Sequence, residues 1–300
     1  MITSLVQMVE KVRALGNSHR IAVAWGQDPN TLGALYKACK DGIAEPVLVG
    51  SSVRIDAECR KLGIDPHFFR IIESPDESAA AETAVKLVKD GEAGIVMKGL
   101  VATDKFLKAV MNKETGIMIS GATLTYVGAI EIPAYRKLLF VTDTAVIPYP
   151  DLAQKRAMAN YAIEMANRFG IAEPKLALIG ASEKKSHHFN YTGDYAAMLE
   201  MAGDGRISKC IMDGPLDLFL ACDPASPGIK GVSTAVNGDA DILLFPSLES
   251  CNPFYKSLML FAGAELAGII RGTEKPVVLM SRSESEISKY YCIALACLMA

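Results

Sequence analysis

Residues 77–99 have the sequence ESAAAETAVKLVKDGEAGIVMKG, in which a stretch with helical periodicity leads directly into the short apolar segment AGIVMKG. Small and apolar residues recur three and four positions apart up to Asp90, which is typical of a helix with one buried face. The continuous apolar run that follows predicts a strand that is buried on both faces of a sheet. The segment therefore predicts one helix–strand unit of an α/β fold.

The same alternation extends in both directions along the chain. Continuous apolar strands separated by helices predict parallel sheets that are covered by helices on both faces. Further strand-like runs occur at 20–26, 45–50, 67–74, 137–143, 175–181, 207–215, 240–247 and 276–280, and helix-like stretches at 30–42, 152–170 and 284–300.

One segment departs from this alternation. Residues 122–143, ATLTYVGAIEIPAYRKLLFVTD, contain two strand-like runs separated by Pro133 and a charged turn, with no helix between them. A direct strand-to-strand step within a βα series is a place where a chain leaves one sheet and starts another. We therefore expect a domain crossing near Tyr135.

Length and composition restrict the class of protein. The 300 residues suffice for one large or two modest domains, and 50% hydrophobic with 22% charged residues excludes a disordered chain. The 31 basic and 34 acidic residues give a net charge of −3, without a block of one sign. Because nucleic-acid binders carry a basic face or stripe, we expect no nucleic-acid partner.

The cysteines and the N-terminal sequence indicate a compartment. Seven cysteines are scattered without a C-x-x-C pair, and residues 1–16 predict an amphipathic helix instead of a signal peptide. No apolar stretch approaches the roughly 20 residues of a membrane helix. These features predict a cytoplasmic protein that does not span a membrane.

Polar residues at strand ends are the first candidates for a site, because ligands of open α/β sheets bind at the carboxyl ends of the strands. Lys98 and Gly99 end the run at 93–99, and Thr103 and Lys108 follow. A lysine at a buried strand end beside a glycine can hold an anion that approaches the backbone closely. The alternative is a solvated lysine in a loop.

Ser281 and Arg282 follow the run at 276–280 and precede a helix-like stretch. A hydroxyl, a planar guanidinium and the positive end of a helix dipole together suit a phosphate group. Ser283 and Glu286 also have the S-x-x-E spacing of a capping box, and both interpretations can hold at once.

Three other strand ends carry weaker signals. Glu249, Asn252 and Lys256 follow the run at 240–247, where they can line a cleft or simply cap the first helical turn. Asp143 ends the run at 137–143. Asp213 is followed by Gly214 at another predicted strand end, and this pair is usually a turn.

Some motifs are absent from the sequence. It contains no G-x-G-x-x-G after the first strand, no P-loop, no H-E-x-x-H and no G-x-S-x-G, which disfavours a nucleotide hydrolase, a zinc protease or an α/β-hydrolase. His187 and His188 are adjacent, in a polar segment predicted to be on the surface, and the other two histidines are far away. We therefore expect no metal site.

Taken together, these segments resemble the phosphate acetyl/butyryltransferase family, and more closely its butyryltransferase branch. The resemblance runs from Ile21 to the C-terminus. It implies a two-domain, isocitrate/isopropylmalate-dehydrogenase-like α/β fold of the phosphotransacetylase type, with residues 1–135 and 282–300 in one domain and 136–281 in the other. It also implies a homodimer and an active site in the interdomain cleft. The matching segments are IVMKGLVATDKFLKAV, LLFVTD, DGPLDL, IKGV, ADILLFP, LESCN, YKSL, AGII, PVVLMSRSES and SKYYCIALA.

The resemblance implies the reaction acyl-CoA + phosphate ⇌ acyl phosphate + CoA, with CoA as a substrate and no tightly bound cofactor. Arg282 would bind phosphate, and Ser281 would hydrogen-bond the reacting centre. Lys98 and Thr103 match the K-G-x-x-x-T segment of the family. Lys108 stands where the family usually has arginine, which keeps the charge but loses bidentate geometry.

The sequence also departs from the family. Ser288 occupies the place of the aspartate base of the acetyltransferase branch, and Cys251 replaces a usual glycine. Apolar residues replace polar family positions at Ile147, Phe219 and Leu220, which would reshape an acyl pocket if they line it. They would be core residues if they do not.

Two other functions compete with this hypothesis. The loss of several polar family positions favours a catalytically weak paralogue that binds CoA or acyl phosphate as a sensor or partner subunit, whereas the retained Ser281, Arg282, Lys98 and Thr103 oppose it. A metal- and NAD-dependent decarboxylating dehydrogenase of the same superfold would need clustered aspartates at a helix start, which the sequence lacks.

Overall fold

The computed structural model describes residues 1–184, 186–281 and 284–300. The chain forms two compact units. Unit 1 comprises Met1–Ser4 and Thr125–Leu266, and unit 2 comprises Leu5–Leu124 and Ala267–Ala300.

The secondary structure confirms the predicted α/β alternation. The first part of unit 2 contains α1 (Leu5–Leu15), β1 (His19–Ala24), α2 (Pro29–Lys40), β2 (Ala44–Gly50), α3 (Ser52–Leu62), a 3-10 turn (Pro66–Phe68), β3 (Arg70–Glu73), α4 (Glu77–Lys89), β4 (Ile95–Lys98) and α5 (Thr103–Val110). Unit 1 contains β5 (Thr125–Glu131), β6 (Leu139–Thr142), α6 (Leu152–Arg168), β7 (Lys175–Ile179), α7 (Tyr191–Gly203), β8 (Ile211–Leu216), α8 (Leu218–Cys222), α9 (Ser226–Lys230), β9 (Ile242–Leu244) and α10 (Leu248–Phe261). The chain returns to unit 2 within β10 (Glu265–Arg271), followed by β11 (Val277–Val278) and α11 (Glu286–Met299).

The strands of unit 2 lie in the order β3-β2-β1-β4-β11-β10. All neighbours are parallel except β10, which runs antiparallel to β11. Helix α4 begins after Asp76, whose carboxylate accepts hydrogen bonds from the N–H groups of Ser78 and Ala79. Its buried residues recur at helical spacing, and β4 is buried along its whole length. The predicted helix–strand unit is thus confirmed, and it places Lys98 at the carboxyl end of β4.

The strands of unit 1 lie in the order β5-β6-β9-β7-β8. Strand β5 is antiparallel to β6, whereas β6, β9, β7 and β8 are parallel. Apolar side chains from these strands and from α8 and α10 form one core cluster. The carboxyl ends of four parallel strands therefore lie along one edge of this sheet.

The division between the units differs from the predicted crossing near Tyr135. The two strands of residues 122–143 pair with each other, with Ala129 opposite Phe140, so that both belong to unit 1. Tyr135 lies in the connection between them, and its hydroxyl donates to the carbonyl of Ala240 in the same unit. The chain passes between the units before β5 and returns within β10 instead of at residue 282.

Two further findings concern membrane helices and cysteines. Within the described residues, we find no helix with the length and apolar character that a membrane crossing requires. All seven cysteines are free thiols.

Candidate functional site

Lys98 is a buried cation at the end of β4. Only 3% of its surface is exposed, and its Nζ donates to the carbonyl oxygens of Gly99 and Met280, each at 3.3 Å. Lysine is seldom buried unless it is paired or hydrogen-bonded. The contact with Met280 fixes the ammonium group beside the segment that leads into Ser281.

Gly99 allows the end of β4 to approach the end of β1. Its N–H donates to the carbonyl of Ala24 at 2.8 Å. A Cβ atom at this position would lie 2.5 Å from the carbonyl oxygen of Trp25, which is closer than real contacts allow. Trp25 itself has a positive φ of 56°. The sequence therefore needs glycine here to keep the two strand ends together.

Ser281 lies between β11 and α11, and Arg282 and Ser283 lie outside the described residues. The backbone N–H of Ser281 donates to Oε1 of Glu284 at 3.3 Å. Helix α11 begins at Glu286 with Ser285 as its N-cap, whose hydroxyl accepts the N–H of Ser288 at 3.1 Å. The helix thus begins later than the S-x-x-E spacing predicts. Ser288, in the first turn of α11, donates its backbone N–H to this cap and is fully buried.

The other two residues of the predicted phosphate segment lie on α5. Thr103 is its first residue and Lys108 is in its last turn, and both are exposed. The structure therefore places Lys98, Gly99 and the approach to Ser281 together, whereas Thr103 and Lys108 lie on successive turns of a surface helix.

Unit 2 contains a second buried lysine that was not predicted from the sequence. Lys289 is 3% exposed, and its Nζ donates to Oδ1 of Asp28 at 3.0 Å and to the hydroxyl of Thr31 at 2.9 Å. Asp28 is the N-cap of α2, and its Oδ2 is buried without a hydrogen-bond partner. The only signal in the sequence is a lysine within the otherwise apolar stretch SKYYCIALA.

Asp143 follows β6 in unit 1 and is also buried. Its Oδ1 accepts the N–H groups of Ala145 and Val146, and its Oδ2 accepts that of Ile147 and the hydroxyl of Thr125. Burial raises the pKa of Asp143, although these hydrogen bonds act in the opposite direction. Asp143 therefore orders the loop at the end of β6.

The candidates on α10 occupy different environments. Asn252 donates from its amide to the carbonyl of Thr144 at 2.8 Å, which ties the helix to the loop after β6. Glu249 and Lys256 are exposed. Glu249 hydrogen-bonds the hydroxyl of Tyr149, and this contact raises the pKa of that phenol. Asn252 and Asp143 thus meet at one loop.

Asp213 lies inside β8 and not at a strand end as predicted. Its Oδ1 accepts the N–H of Gly214, and its Oδ2 accepts the N–H of Ala235, both at 2.8 Å. Gly214 has a φ of 154°, and a Cβ there would lie 2.5 Å from the Cβ of Leu178. The Asp-Gly pair is therefore an irregularity within a strand, where β8 bends against β7.

The three residues predicted for an acyl pocket are not equivalent. Leu220 is fully buried in the core cluster of unit 1, and Phe219 next to it is 69% exposed. Ile147 is 7% exposed and lies in the loop that Asp143 orders. Cys251, at the position where the family has glycine, is completely buried, and burial raises the pKa of its thiol. Leu220 therefore fits the core alternative.

His187 and His188 are exposed, as the sequence predicts. In the part of the chain that the structure describes, no three His, Cys, Asp or Glu side chains are grouped so as to hold a metal ion. The strand ends of unit 2 instead offer a buried ammonium, a serine and a helix N-terminus. That combination can bind an oxyanion and stabilise negative charge that develops beside it.

Comparison with known proteins finds a matching family model and similar full-length chains. The family model described as "Phosphate acetyl/butaryl transferase" matches residues 4–84 and 75–297. The phosphate butyryltransferase of Clostridium acetobutylicum is 40% identical over 300 residues, which cover 100% of this chain and 99% of that protein. The phosphate acetyltransferase of Thermotoga maritima is 34% identical over 296 residues, 99% of each chain.

A solved structure is also similar. The crystal structure of a branched-chain phosphotransacylase from Enterococcus faecalis V583 superimposes with a TM-score of 0.81 at 30% identity. The match covers 93% of this chain and 99% of that one. The mostly parallel α/β architecture is therefore that of the phosphotransacylases.

Proposed function

The chain belongs to the phosphate acetyl/butyryl transferase family and is a phosphate acyltransferase, and we propose that its substrates are short- or medium-chain acyl-CoA thioesters of the butyryl type. The reaction is acyl-CoA + phosphate ⇌ acyl phosphate + CoA. Full-length identity of 40% to a phosphate butyryltransferase carries this proposal. The two substrates are acyl-CoA and inorganic phosphate, and no cofactor is tightly bound.

The chemistry requires an anion to react with a thioester carbonyl. A phosphate oxygen forms a bond to the carbonyl carbon, the carbon–sulfur bond breaks, and the thiolate of CoA leaves. Phosphate must be held without its water shell, and the developing oxyanion needs hydrogen-bond donors. Groups that meet these needs lie at the strand ends of unit 2.

We assign the following roles in this reaction. Lys98 supplies positive charge for phosphate from a buried position that its carbonyl contacts fix. Ser281 hydrogen-bonds the reacting centre. Arg282 is proposed from the sequence alone to bind phosphate with its guanidinium fork. Thr103 and Lys108 add a hydroxyl and a charge from α5.

Residues of unit 1 bear on the acyl group. Asp143 and Asn252 hold the loop after β6, and Ile147 is part of that loop. We assign Ile147 to acyl-chain selection, with the exposed ring of Phe219 as a second candidate. The proposal also includes a cytoplasmic location and a homodimer. Light scattering of the purified protein would test the dimer.

The decisive experiment measures phosphate-dependent release of CoA from acetyl-, propionyl-, butyryl-, isobutyryl- and hexanoyl-CoA. Loss of the thioester ultraviolet absorbance is followed, so that free thiols of the protein do not interfere as they would with a thiol reagent. We expect turnover with a preference for four-carbon chains. Lack of turnover with every thioester would contradict the proposal and favour the CoA-binding sensor, for which the comparisons give no support.

A further inference from the structure

Unit 1 contains an open pocket of about 480 Å³ that none of the assigned roles uses. It lies beyond the carboxyl ends of β6, β9 and β7. The segment before α6 and Lys155 within that helix form one side, the start of α7 forms another, and Pro246 and Ser247 after β9 complete the lining. Its volume falls within the range of small-molecule sites, and strand carboxyl ends are where α/β sheets bind ligands.

One wall of the pocket is a fixed aromatic surface. The rings of Phe189 and Tyr191 are stacked with centroids 5.3 Å apart and planes inclined by 14°. The hydroxyl of Tyr191 accepts the N–H of Ala181 at 3.1 Å. Its ring also contacts Tyr195, which is fully buried and donates to the carbonyl of Ile179. The orientation of the wall is therefore set from the core, and it suits a planar ring.

The backbone beneath this wall is adapted to it. Gly180 follows β7, and a Cβ atom at that position would lie 2.9 Å from the hydroxyl of Tyr191. Any larger residue would push the tyrosine ring away from the strand end. The glycine therefore allows Tyr191 to be anchored at the carboxyl end of β7.

Polar groups lie around the aromatic wall. The ammonium of Lys155, whose side chain is 5% exposed, pairs with Asp194 at 2.7 Å. Asn190 is the N-cap of α7, but its side chain makes no capping hydrogen bond. Its exposed amide presents a donor and an acceptor in one plane, which is the pattern that matches the N6 and N7 edge of adenine. A saturated acyl chain would gain little from these groups.

We propose that this pocket binds adenosine, with the adenine ring against Phe189 and its edge hydrogen-bonded by Asn190. The assignment rests on the proposed function, because the proposed substrate, acyl-CoA, supplies the adenosine group at the end remote from the thioester. The pocket then anchors the nucleotide end of CoA in unit 1. A free adenine nucleotide has the same ring and is the alternative source.

The test compares two thioesters that differ only in the nucleotide. KM is measured for butyryl-CoA and for S-butyryl-pantetheine at saturating phosphate, in the wild type and in Phe189→Ala and Asn190→Ala. Loss of the stacking surface is expected to raise the KM for butyryl-CoA about tenfold in Phe189→Ala. The KM values for S-butyryl-pantetheine and for phosphate are expected to stay unchanged.

Two control variants separate this effect from general damage. Phe68→Ala removes a ring of similar exposure, 42% against 37%, from a surface of unit 2, and it should leave every KM unchanged. Tyr191→Phe keeps the ring and loses only the hydroxyl, so it should resemble the wild type more than Phe189→Ala does. Equal changes of KM for both thioesters in Phe189→Ala and Asn190→Ala would overturn the CoA assignment.

Direct binding distinguishes failure of this inference from failure of the proposed function. Calorimetry with adenosine 3′,5′-bisphosphate and with AMP requires no turnover. Weaker binding of the bisphosphate by Phe189→Ala supports the pocket even if no acyl-CoA reacts. If only AMP binding weakens and the KM values stay unchanged, the ligand is a free nucleotide. Unchanged binding of both probes together with unchanged KM values overturns the proposal.

Discussion

Strand β4 of unit 2 ends on a buried lysine, and strand β6 of unit 1 is followed at once by a buried aspartate. Lys98 donates to the carbonyl of Met280, 182 residues away, whereas Asp143 accepts N–H groups of residues two to four positions ahead. An ammonium group has only donors, and that of Lys98 joins the carbonyl of its neighbour Gly99 to that of Met280 in a distant segment. A carboxylate accepts hydrogen bonds, and that of Asp143 binds the backbone N–H groups of the loop that follows it.

The comparison shows why similar positions serve different ends. At the end of β4, positive charge is retained beside the segment that leads into Ser281, where we propose that an anion binds. At the end of β6, three backbone N–H groups and one hydroxyl already occupy the carboxyl oxygens of Asp143. Asp143 therefore positions its loop, and we propose that phosphate binds at the strand ends of unit 2.

The largest effect is expected for Lys289, whose contact with the distant Asp28 stabilises unit 2. Lys289→Met removes the partner of the buried Asp28 and should lower the free energy of unfolding by about 3–5 kcal/mol. Urea unfolding can be followed by the fluorescence of Trp25, the single tryptophan, which lies in unit 2. Lys86→Met, which breaks an exposed pair with Asp90, should cost less than about 1 kcal/mol. Equal losses in the two variants would contradict this role.

The next largest effect tests the proposed role of Lys98 at the end of β4 in binding phosphate. Lys98→Met should lower kcat/KM for phosphate about 100-fold, equivalent to about 2.7 kcal/mol, because an anion would lose its buried counter-charge. The matched control is Lys105→Met on α5, whose ammonium pairs with Glu77 and is 45% exposed. Initial rates at varied phosphate check both variants. A loss below threefold in folded Lys98→Met would remove Lys98 from the site.

A smaller effect tests whether Asp143 at the end of β6 has a structural role. Asp143→Asn replaces an acceptor oxygen with an NH₂ group, which cannot accept the hydrogen bonds of Ile147 and Thr125. The expected loss of unfolding free energy is about 2 kcal/mol, with kcat/KM for phosphate reduced less than in Lys98→Met. Urea denaturation and initial rates measure the two quantities. If kcat/KM for phosphate falls as far as in Lys98→Met while stability is unchanged, Asp143 acts on substrate and the contrast with Lys98 fails.

The pH dependence of the unfolding free energy of wild type and Asp143→Asn gives an independent check on Asp143. Because burial raises the pKa of Asp143, the folded state binds this proton more tightly than the unfolded chain does. Its contribution to stability is therefore greatest at low pH and declines as pH rises from about 3.9 through the folded pKa. The stability difference between wild type and Asp143→Asn should narrow as the pH rises above about 4. A difference that widens would show that the sign is wrong.

The α/β class and the helix–strand unit at 77–99 were predictable because period and burial pattern are local properties of the sequence. The end of β4 was also predictable, since a lysine and a glycine at the end of an apolar run mark a close approach of backbone. Asp213 was misplaced because an Asp-Gly pair predicts a turn, whereas contacts with β7 keep it inside β8.

Residues whose roles depend on distant partners could not be predicted in this way. Lys289 and Asp28 are 261 positions apart, and no local pattern connects them. The predicted division near Tyr135 was wrong for a similar reason. Two short strands without a helix between them fit either a domain crossing or an antiparallel pair. Only their pairing shows that both lie in unit 1.

The smallest predicted effect concerns Arg282, which only the sequence assigns to phosphate. Arg282→Ala should lower kcat/KM for phosphate about tenfold, or 1.4 kcal/mol, chiefly by raising the phosphate KM. Ser281→Ala should instead lower kcat with less change in that KM if, as we propose, its hydroxyl acts in the transition state. Saturation curves for phosphate separate the two patterns. If Arg282→Ala leaves the phosphate dependence unchanged, Lys98 alone supplies the anion contact, and the contrast between the ends of β4 and β6 becomes sharper.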